Sequence, residues 1–342
     1  MKVGMYYNNR DVRVEGQDTP AVGAGDLLIK IMASGICGSD IMEWYRIAKA
    51  PLVLGHEITG EVVEVGSNVQ GFAVGDRVFS THHVPCDECA DCLNGNQTAC
   101  KVFHGENNFT PGGFAEYLRV GGRSISKGTI ALPDDVSYED GSFIEPLGTV
   151  VRGLREAEIR PGDSVLVIGS GLIGLMHVKL ARALGAGRIV ATDVHESRLE
   201  AASRFGADHT VVAAADVPAF VREVNDGRLV DKVILCSGAM PAAETALAAV
   251  EKGGTVLFFA VPKPDERIAV DINAYWRDSI SIKVSYAAAP IDNLQALELI
   301  RSGRVRVDDM ITHRLPLVEI GEGFRLACAG AESLKVIIQP HS

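Results

Sequence analysis

A short run of glycines constrains the fold of this chain more than any other feature of its sequence. The apolar segment Val165–Ile168 has the length and composition of a buried strand, and Gly169, Gly171 and Gly174 follow it with the spacing G-x-G-x-x-G. In this arrangement the first glycine makes a tight turn, the second lets the backbone approach a pyrophosphate, and the third lets a helix pack closely against the strand. The sequence therefore predicts a dinucleotide-binding turn between a strand and a helix.

Residues after the glycines complete the predicted cofactor site. Leu172 and Ile173 begin the helix whose free N–H groups and positive end would face the phosphates. Asp193 ends the next predicted strand, about 20 residues further on, where a carboxylate accepts hydrogen bonds from the adenosine ribose and repels a 2′-phosphate. The alternative is that Asp193 is an ordinary solvated residue at the end of its strand. We therefore expect NAD rather than NADP, although Arg198 nearby could tolerate the phosphate.

Strands and helices alternate around this motif. Five short apolar runs have the length of buried strands: Val165–Ile168, Ile189–Thr192, Thr210–Val212, Val233–Cys236 and Thr255–Phe259. Segments with helical periodicity separate them, for example Leu172–Leu184 and Pro241–Glu251. This alternation is typical of an α/β fold with a doubly wound parallel sheet, which we assign to residues 149–285.

The regions before and after this domain have a different pattern. Residues 1–148 are rich in short alternating runs separated by turn signals, as expected of a β-rich domain; examples are Leu27–Met32, Gly60–Val65 and Asp76–Ser80. Residues 286–342 contain two amphipathic helices and a closing strand, near Leu294–Arg301, Ile320–Ala329 and Lys335–Gln339. Because the tail resembles the first region, we expect it to return to the first domain and complete it.

Charge and hydropathy exclude several classes of protein. The chain of 342 residues has a net charge of −11 and no cluster of basic residues, which opposes a nucleic-acid partner. Its N-terminus lacks the apolar core of a signal peptide. The most apolar stretch, Val165–Val178, is too short to span a bilayer and is interrupted by glycines. We expect a soluble, cytoplasmic protein without a membrane partner.

Four of the seven cysteines are concentrated in one polar segment. Cys86, Cys89, Cys92 and Cys100 have the spacing C-x₂-C-x₂-C-x₇-C. Such spacing suits a disulfide pair, a redox motif, an iron–sulfur cluster or a zinc site. In a reducing cytosol clustered cysteines more often bind metal than form disulfides, so the residues by themselves favour a metal site.

A second motif supplies further metal-binding residue types. Cys37 lies in G-I-C-G-S-D, and His56 and Glu57 lie in G-H-E-x-x-G-x-x-x-x-x-G-x-x-V. With this motif, the cysteine cluster and the glycine motif in that order, the sequence resembles the zinc-dependent medium-chain dehydrogenases/reductases of the alcohol dehydrogenase superfamily over essentially its whole length. The resemblance implies a GroES-like catalytic domain in residues 1–148 and a Rossmann domain in residues 149–285.

The resemblance also implies two zinc ions. The four clustered cysteines would close a structural site with no open position, and we see no other sign of an iron–sulfur protein.

A catalytic zinc would be bound by Cys37 and His56, with Glu57 as a third ligand or a nearby carboxylate. Glu145 stands where classical alcohol dehydrogenases have a cysteine. A glutamate there resembles the sorbitol/polyol and threonine dehydrogenase branches, in which it binds zinc directly or through water. A carboxylate that simply begins a helix before Pro146 is the alternative.

By the same resemblance Ser39 is the first proton acceptor, and Glu57 is a second candidate for acid–base work. Many relatives pass the proton on to a histidine at a position that Met42 occupies here, and methionine cannot carry a proton.

The interval between Cys37 and His56 is shorter than in the sorbitol and threonine branches, so we expect a wider substrate pocket. Trp44 and Tyr45 within it are candidates for substrate contact or for packing.

Together these features predict an NAD-dependent, zinc-dependent dehydrogenase that reversibly oxidises a secondary alcohol to a ketone, with polyols or sugar-derived alcohols first among its substrates. Oxidation of a hydroxy amino acid, as in threonine 3-dehydrogenases, or of a bulkier hydroxy compound ranks second, because no carboxylate-binding arginine is identified. A non-catalytic binding relative and a nucleic-acid-binding zinc module are further alternatives with less support. We expect a homodimer or homotetramer that associates through an edge strand near Ser279–Val284.

Overall fold

The computed structural model describes residues 1–105, 108–330 and 332–342. The strands, in chain order, are β1 (Lys2–Asn8), β2 (Asp11–Gly16), β3 (Leu27–Gly35), β4 (Leu52–Val53), β5 (Glu57–Val65), β6 (Arg77–Ser80), β7 (Phe109–Thr110), β8 (Tyr117–Val120), β9 (Thr129–Ala131), β10 (Ser164–Ile168), β11 (Arg188–Asp193), β12 (His209–Val212), β13 (Val230–Leu235), β14 (Val250–Phe258), β15 (Ser281–Val284), β16 (Ile311–Pro316) and β17 (Lys335–Gln339).

The helices, again in chain order, are α1 (Glu43–Arg46), α2 (Ala90–Leu93), α3 (Lys101–Gly105), α4 (Tyr138–Gly141), α5 (Ile144–Glu156), α6 (Leu172–Ala183), α7 (Glu196–Arg204), α8 (Val217–Val224), α9 (Met240–Ala248), α10 (Ile272–Asp278), α11 (Pro290–Arg301) and α12 (Ile320–Ala329). The chain divides into two compact units: unit 1 comprises Met1–Gly148 and Ala287–Ser342, and unit 2 comprises Thr149–Tyr286. Among the described residues, no helix has both the length and the apolar composition needed to cross a membrane.

Unit 2 is built on a parallel sheet of six strands in the order β12-β11-β10-β13-β14-β15. All five residues of β10 are buried, which explains why the sequence there is continuously apolar rather than alternating. Strand order reverses direction next to β10, so the turn that follows it lies where doubly wound folds bind nucleotides. The structure confirms the doubly wound sheet predicted from the sequence.

One predicted helix in unit 2 is too long. The sequence suggested Pro241–Glu251, but α9 ends at Ala248 and β14 begins at Val250. Val250 is buried in the core and pairs with Val230 on β13, so strand pairing and burial determine the conformation of these residues. Local periodicity cannot register such a long-range contact.

Unit 1 contains two sheets. A three-stranded sheet has the order β2-β1-β4, and a larger, mostly antiparallel sheet has the path β16-β17-β3-β5-β6-β9, with β8 also pairing with β3 and β7 with β8. Alternating residues of β3, β5 and β8 form one apolar core, whose members include Ile29, Ile58 and Leu118. The strands predicted at Leu27–Met32 and Gly60–Val65 lie within β3 and β5.

The C-terminal segment takes part in the larger sheet of unit 1. β17 pairs antiparallel with β3, where Ile337 lies opposite Gly35. On the other side of β3, Gly35 lies opposite Glu57, the first residue of β5. Three strands from different parts of the chain therefore meet beside Gly35, two residues before Cys37.

The glycine turn gives a prediction about stability. A Cβ atom at Gly174 would overlap the carbonyl oxygen of Gly169, whereas one at Gly171 would meet only the guanidinium of Arg198 at 4.0 Å. We expect Gly174→Ala to lower the free energy of unfolding by about 1–3 kcal/mol through overpacking. Gly171→Ala is the matched control and should leave stability nearly unchanged. Thermal melts followed by circular dichroism measure both, and equal melting temperatures for the two variants would contradict the assigned packing.

Candidate metal centres and cofactor site

The four clustered cysteines converge on one point in unit 1. The Cys86–Cys92, Cys89–Cys92 and Cys86–Cys100 sulfur pairs lie 3.9, 3.5 and 3.6 Å apart. Zinc–sulfur bonds of about 2.3 Å in a tetrahedron place sulfurs about 3.8 Å apart. A disulfide would require about 2.05 Å, and all seven cysteines are free thiols. The spacing of the sulfurs therefore fits a zinc ion and excludes disulfides.

The surroundings of these sulfurs also suit thiolates. The backbone N–H of Cys86 donates to Cys100 Sγ at 3.5 Å, and that of Cys89 donates to Cys86 Sγ at 3.3 Å. Burial acts to raise the pKa of Cys100, but backbone donors outweigh it and bring the pKa to about 6. Burial raises the pKa of Cys92 to about 12. Four sulfurs in one cluster cannot all ionise without a cation, which a structural zinc supplies.

A second cluster lies where the strands of unit 1 meet. Ligand atoms of Cys37, His56 and Glu57 all lie within 4.8 Å of one another. Cys37 follows β3, and His56 and Glu57 enter β5, so the antiparallel pairing of these strands brings the three residues together. A thiolate, an imidazole and a carboxylate form a donor set suited to catalytic zinc. Among the described residues, this group and the four-cysteine cluster are the sets with metal-binding geometry.

A buried lysine holds one of these groups. Lys335 Nζ, at the start of β17, forms an ion pair with Glu57 Oε2, and the two side chains are 0% and 1% exposed. Lys335 also donates to the carbonyl of Ile36 at 3.3 Å and lies 5.5 Å from the ring centre of Phe143. One oxygen of Glu57 is thus engaged by a cation, which restricts the carboxylate proposed from the sequence as a base. The lysine gave no local signal in the sequence.

Asp40 orients the cluster from the other side. Its Oδ2 accepts from the N–H of Cys37 at 3.0 Å, and its Oδ1 lies 3.5 Å from His56 Nδ1. Burial acts to lower the pKa of His56, but the charges of Asp40 and Cys37 outweigh it and hold the pKa well above the usual value. The negative potential that favours a proton on the imidazole also favours a metal cation. A carboxylate on Nδ1 leaves Nε2 for a metal, a common arrangement in zinc sites.

Glu145 lies outside the group of three. It occupies the first turn of α5 and is buried. Burial, with the charges of Glu57 and Asp40, raises the pKa of Glu145 to about 7, against the opposing effects of His56 and Lys335. The structure therefore places Glu145 in the electrostatic neighbourhood of the cluster but does not bring it within the ligand spacing of Cys37, His56 and Glu57.

The Ser39 hydroxyl is fixed by two neighbours. It donates to Cys37 Sγ at 3.4 Å and accepts from Arg46 Nη2 at 3.0 Å. Arg46 Nε also donates to the Ser39 carbonyl at 2.9 Å. Sequence reasoning missed Arg46, although its place in the short segment after Cys37 was a usable signal. Met42 precedes α1 and contributes no titratable group.

Two adjacent histidines extend the cluster, and sequence reasoning missed them as well. The rings of His56 and His82 have centres 5.6 Å apart, and those of His82 and His83 are 3.8 Å apart. Burial lowers the pKa of His83 to about 3 and that of His82 well below its usual value. Both rings are thus neutral at ordinary pH. Their position before the cysteine cluster was the available signal.

The two remaining cysteines, Cys236 and Cys328, have apolar neighbours in the sequence, which predicts ordinary core residues. Cys236 is partly buried at the end of β13, with its sulfur 3.6 Å from His177 Nδ1. Cys328 is exposed, so the expectation is wrong for this residue. It lies in the last turn of α12.

The glycine turn of unit 2 is open where a pyrophosphate would lie. Gly169 has φ +94°, a backbone conformation that favours glycine. A Cβ atom at Gly171 would have Arg198 Nη1 as its nearest neighbour, at 4.0 Å. Asp193 accepts from the N–H groups of Ser170 at 2.7 Å and His195 at 2.9 Å. Arg198 Nη1 lies 3.6 Å from the same carboxylate. The turn, the start of α6 and this carboxylate form a site that fits a nicotinamide dinucleotide.

Removing one thiol tests the four-cysteine site. We expect the purified protein to contain close to two zinc ions per chain and Cys89→Ser to lose about one of them. Thermal stability should fall as well, because zinc binding contributes to the folding of the lobe. Cys328→Ser is the matched control, since Cys328 is exposed. Elemental analysis with thermal melts gives both quantities, and full zinc content in Cys89→Ser would refute the assignment.

Two family models match the chain. The first, described as an alcohol dehydrogenase GroES-like domain, covers residues 23–134. The second, described as a zinc-binding dehydrogenase, covers residues 173–302. The first therefore contains both metal clusters, and the second begins within the glycine motif.

Curated relatives match along nearly the whole chain. Sorbitol dehydrogenase of Bacillus subtilis (strain 168) is 30% identical over 352 residues, covering 100% of this chain and 98% of the relative. L-threonine 3-dehydrogenase of Salmonella typhi is 33% identical over 326 residues, covering 93% of each. These relatives act on different kinds of alcohol, so the similarity supports the reaction type more than one substrate.

Solved structures agree with the fold. A Sinorhizobium meliloti 1021 protein bound to NADP is 28% identical, with a TM-score of 0.88 and 99% coverage of each chain. Galactitol-1-phosphate dehydrogenase from Escherichia coli is 27% identical, with a TM-score of 0.86 and coverage of 99% of this chain and 100% of that one. With its two metal clusters, its dinucleotide turn and these full-length similarities, the chain belongs to the zinc-dependent medium-chain dehydrogenase/reductase family and is an alcohol or polyol dehydrogenase that uses zinc and a nicotinamide cofactor.

Proposed function

We propose that the protein catalyses the reversible, NAD-dependent oxidation of a secondary alcohol to a ketone, with polyols or sugar-derived alcohols as the favoured substrates. The observation that carries this proposal is the cluster of Cys37, His56 and Glu57 with the Ser39 hydroxyl at the sulfur of Cys37. It combines a donor set for zinc with a group that can move a proton. Similarity to a sorbitol dehydrogenase and to a galactitol-1-phosphate dehydrogenase supports the polyol class.

In this proposal Cys37 and His56 bind the catalytic zinc, with Glu57 or Glu145 as the nearby carboxylate. Zinc bound there would supply the Lewis acidity that lowers the pKa of an alcohol hydroxyl, and a bound nicotinamide would supply the hydride acceptor. Asp40 holds the His56 ring in orientation through Nδ1. Lys335 compensates the charge of Glu57, so that the centre does not accumulate uncompensated negative charge.

The proton of the alcohol passes first to Ser39. Its hydroxyl lies at the edge of the cluster and is oriented by Arg46. Arg46 cannot accept a proton itself, because a guanidinium remains charged at all relevant pH values. Met42 cannot accept one either, so water is the next acceptor after Ser39 in this proposal.

The preference for NAD depends on Asp193. Its carboxylate ends β11 beside the glycine turn and would repel a 2′-phosphate. Arg198 lies 3.6 Å from this carboxylate and partly offsets its charge. We therefore expect a preference for NAD that is moderate rather than absolute.

Unit 2 has an exposed edge that suits a second copy of the chain. β15 is the last strand of the parallel sheet, and its Val284 side chain is 73% exposed. Trp276 on the preceding α10 is 77% exposed. An edge strand has unpaired backbone groups, and two copies related by a two-fold axis can pair them. We propose that the protein is a homodimer or homotetramer associated through this edge.

A substrate panel tests the proposed reaction. Zinc-loaded protein is assayed for reduction of NAD and of NADP with sorbitol, xylitol, 2,3-butanediol, L-threonine and a primary alcohol. We expect the highest kcat/KM with a polyol and NAD. Turnover restricted to the primary alcohol would overturn the substrate class, and a higher kcat/KM with NADP would overturn the role given to Asp193.

Ser39→Ala should slow alcohol oxidation by roughly two to four orders of magnitude, the usual effect of losing a positioned acid–base group. Zinc content should be unchanged, because no metal ligand is altered. Met42→Ala is the control and should change turnover little. Steady-state rates with the best alcohol, together with elemental analysis, provide the comparison. Near-normal turnover in Ser39→Ala would assign the proton to another acceptor, such as Glu57 or Glu145.

Val284→Lys should weaken self-association, because it places a charge on the edge strand of the proposed contact. Light scattering should give a multiple of the 36.4 kDa chain mass for the unaltered protein and a smaller mass for the variant. Val212→Lys, at an exposed residue of β12 on the opposite edge of the sheet, is the matched control. A monomer mass for the unaltered protein at assay concentration would contradict the proposal.

A further inference from the structure

One cation beside the candidate catalytic centre has more donor groups than the orientation of Ser39 requires. Arg46 ends the short helix α1, and its side chain is only 15% exposed. Two of its three nitrogens contact Ser39: Nε donates to the carbonyl at 2.9 Å and Nη2 donates to the hydroxyl at 3.0 Å. The guanidinium therefore lies one hydroxyl group away from the sulfur of Cys37.

The charge of Arg46 is only partly compensated. The nearest carboxylate oxygen is Asp40 Oδ1 at 3.6 Å, beyond hydrogen-bond distance, and the same oxygen faces His56 Nδ1 at 3.5 Å. The ring of Tyr45 lies 4.7 Å from the guanidinium carbon. Arg46 Nη1 has no hydrogen-bond partner within the described parts of the chain. The Arg46 guanidinium is permanently charged and mostly buried, and its Nη1 is thus available to a ligand.

Other arginines of this chain show how a purely structural guanidinium is satisfied. Arg325 donates through Nε and Nη2 to both oxygens of Glu322, each at 2.7 Å. Arg306 contacts both oxygens of Asp308, at 3.3 and 2.8 Å. Those side chains are exposed, whereas Arg46 lies in a less hydrated place and lacks such a partner. The contrast favours a ligand anion as the missing partner of Arg46.

We propose that Arg46 binds an anionic substituent of the substrate, a carboxylate or a phosphate on the carbon chain near the reacting hydroxyl. This inference rests on the proposed function, because it assumes that the alcohol reacts beside Ser39. An alcohol oxygen at the Ser39 hydroxyl places the next atoms of its carbon chain within reach of Nη1. A planar fork recognises carboxylate and phosphate oxygens by paired N–H donors, which a lysine cannot reproduce. Among polyols and sugar-derived alcohols, the favoured substrates are then those that carry an acid group, such as sugar acids and polyol phosphates.

Three compounds with one carbon skeleton provide the test: sorbitol, gluconate and sorbitol 6-phosphate. They share most of their hydroxyl groups and differ in carrying no anion, a carboxylate or a phosphate. We expect the zinc-loaded enzyme to have a higher kcat/KM with at least one of the two anions than with sorbitol. Arg46→Met should lower kcat/KM for that anion about 10- to 100-fold more than for sorbitol, the usual effect of losing a charge-assisted hydrogen bond. The preferred anion distinguishes a carboxylate site from a phosphate site.

Two further variants separate this role from general effects. Arg46→Lys keeps the charge but loses the fork, so the preference for the anion should fall by less than in Arg46→Met. Lys49→Met is the matched control, because Lys49 carries the same charge, is exposed, and lies 5.4 Å from the centre of the same Tyr45 ring. It should leave the ratio of anion to sorbitol unchanged. Calorimetric titration of each anion into zinc-loaded protein provides a readout independent of turnover, and Arg46→Met should weaken binding by the same factor.

The outcomes separate this inference from the proposed function. If sorbitol is oxidised but neither anion is preferred or bound more tightly, the role of Arg46 is refuted and the proposed function stands. An equal loss with all three compounds in Arg46→Met would show that Arg46 only positions Ser39. The same selective loss in Lys49→Met would assign the effect to surface charge. If none of these compounds and no alcohol of the earlier panel is oxidised with either cofactor, the proposed function itself fails.

Discussion

The buried ion pair between Lys335 and Glu57 links the two chain segments that form unit 1, at its candidate catalytic centre. Both side chains are almost completely shielded from solvent, and leaving either charge unpaired there would cost about 3–5 kcal/mol. The pair can form only when β17 lies beside β3 and β3 beside β5. The geometry of Cys37, His56 and Glu57 therefore depends on residues near the C-terminus as well as on the motif that contains them.

Charge is distributed around this centre in a chain of neighbours. Asp40 faces both His56 and Arg46, and Arg46 in turn holds the Ser39 hydroxyl. Burial opposes charge on Asp40 and His56, but the pKa of Asp40 is lowered and that of His56 is raised, because the two side chains lie next to each other. Within the described residues, Arg46 Nη1 keeps a donor edge without a hydrogen-bond partner. That open edge links the charge arrangement to substrate selection.

The parts of the site that sequence reasoning predicted share one property: their signal is local. The cysteine spacing predicted a cluster whose sulfurs lie 3.5–3.9 Å apart, and the glycine spacing predicted the turn after β10. Lys335 was missed because a single lysine in an apolar strand carries no pattern. Arg46 was missed because a charged residue in a short loop usually indicates a solvated surface. The end of α9 was misplaced because Val250 is fixed by pairing with Val230.

By itself the sequence determined the alternation that builds the parallel sheet, the turn that suits a dinucleotide and the four thiols of the candidate structural zinc site. Each strand, helix or motif among these is encoded by residues that are neighbours along the chain. Only the tertiary structure decided which charges meet. Glu57 forms an ion pair with Lys335, 278 residues away in the sequence, and Glu145 lies outside the ligand spacing of the three-residue cluster. Electrostatic energy depends on distance in space and on the exclusion of water, and neither quantity is encoded in the spacing of residues along the chain.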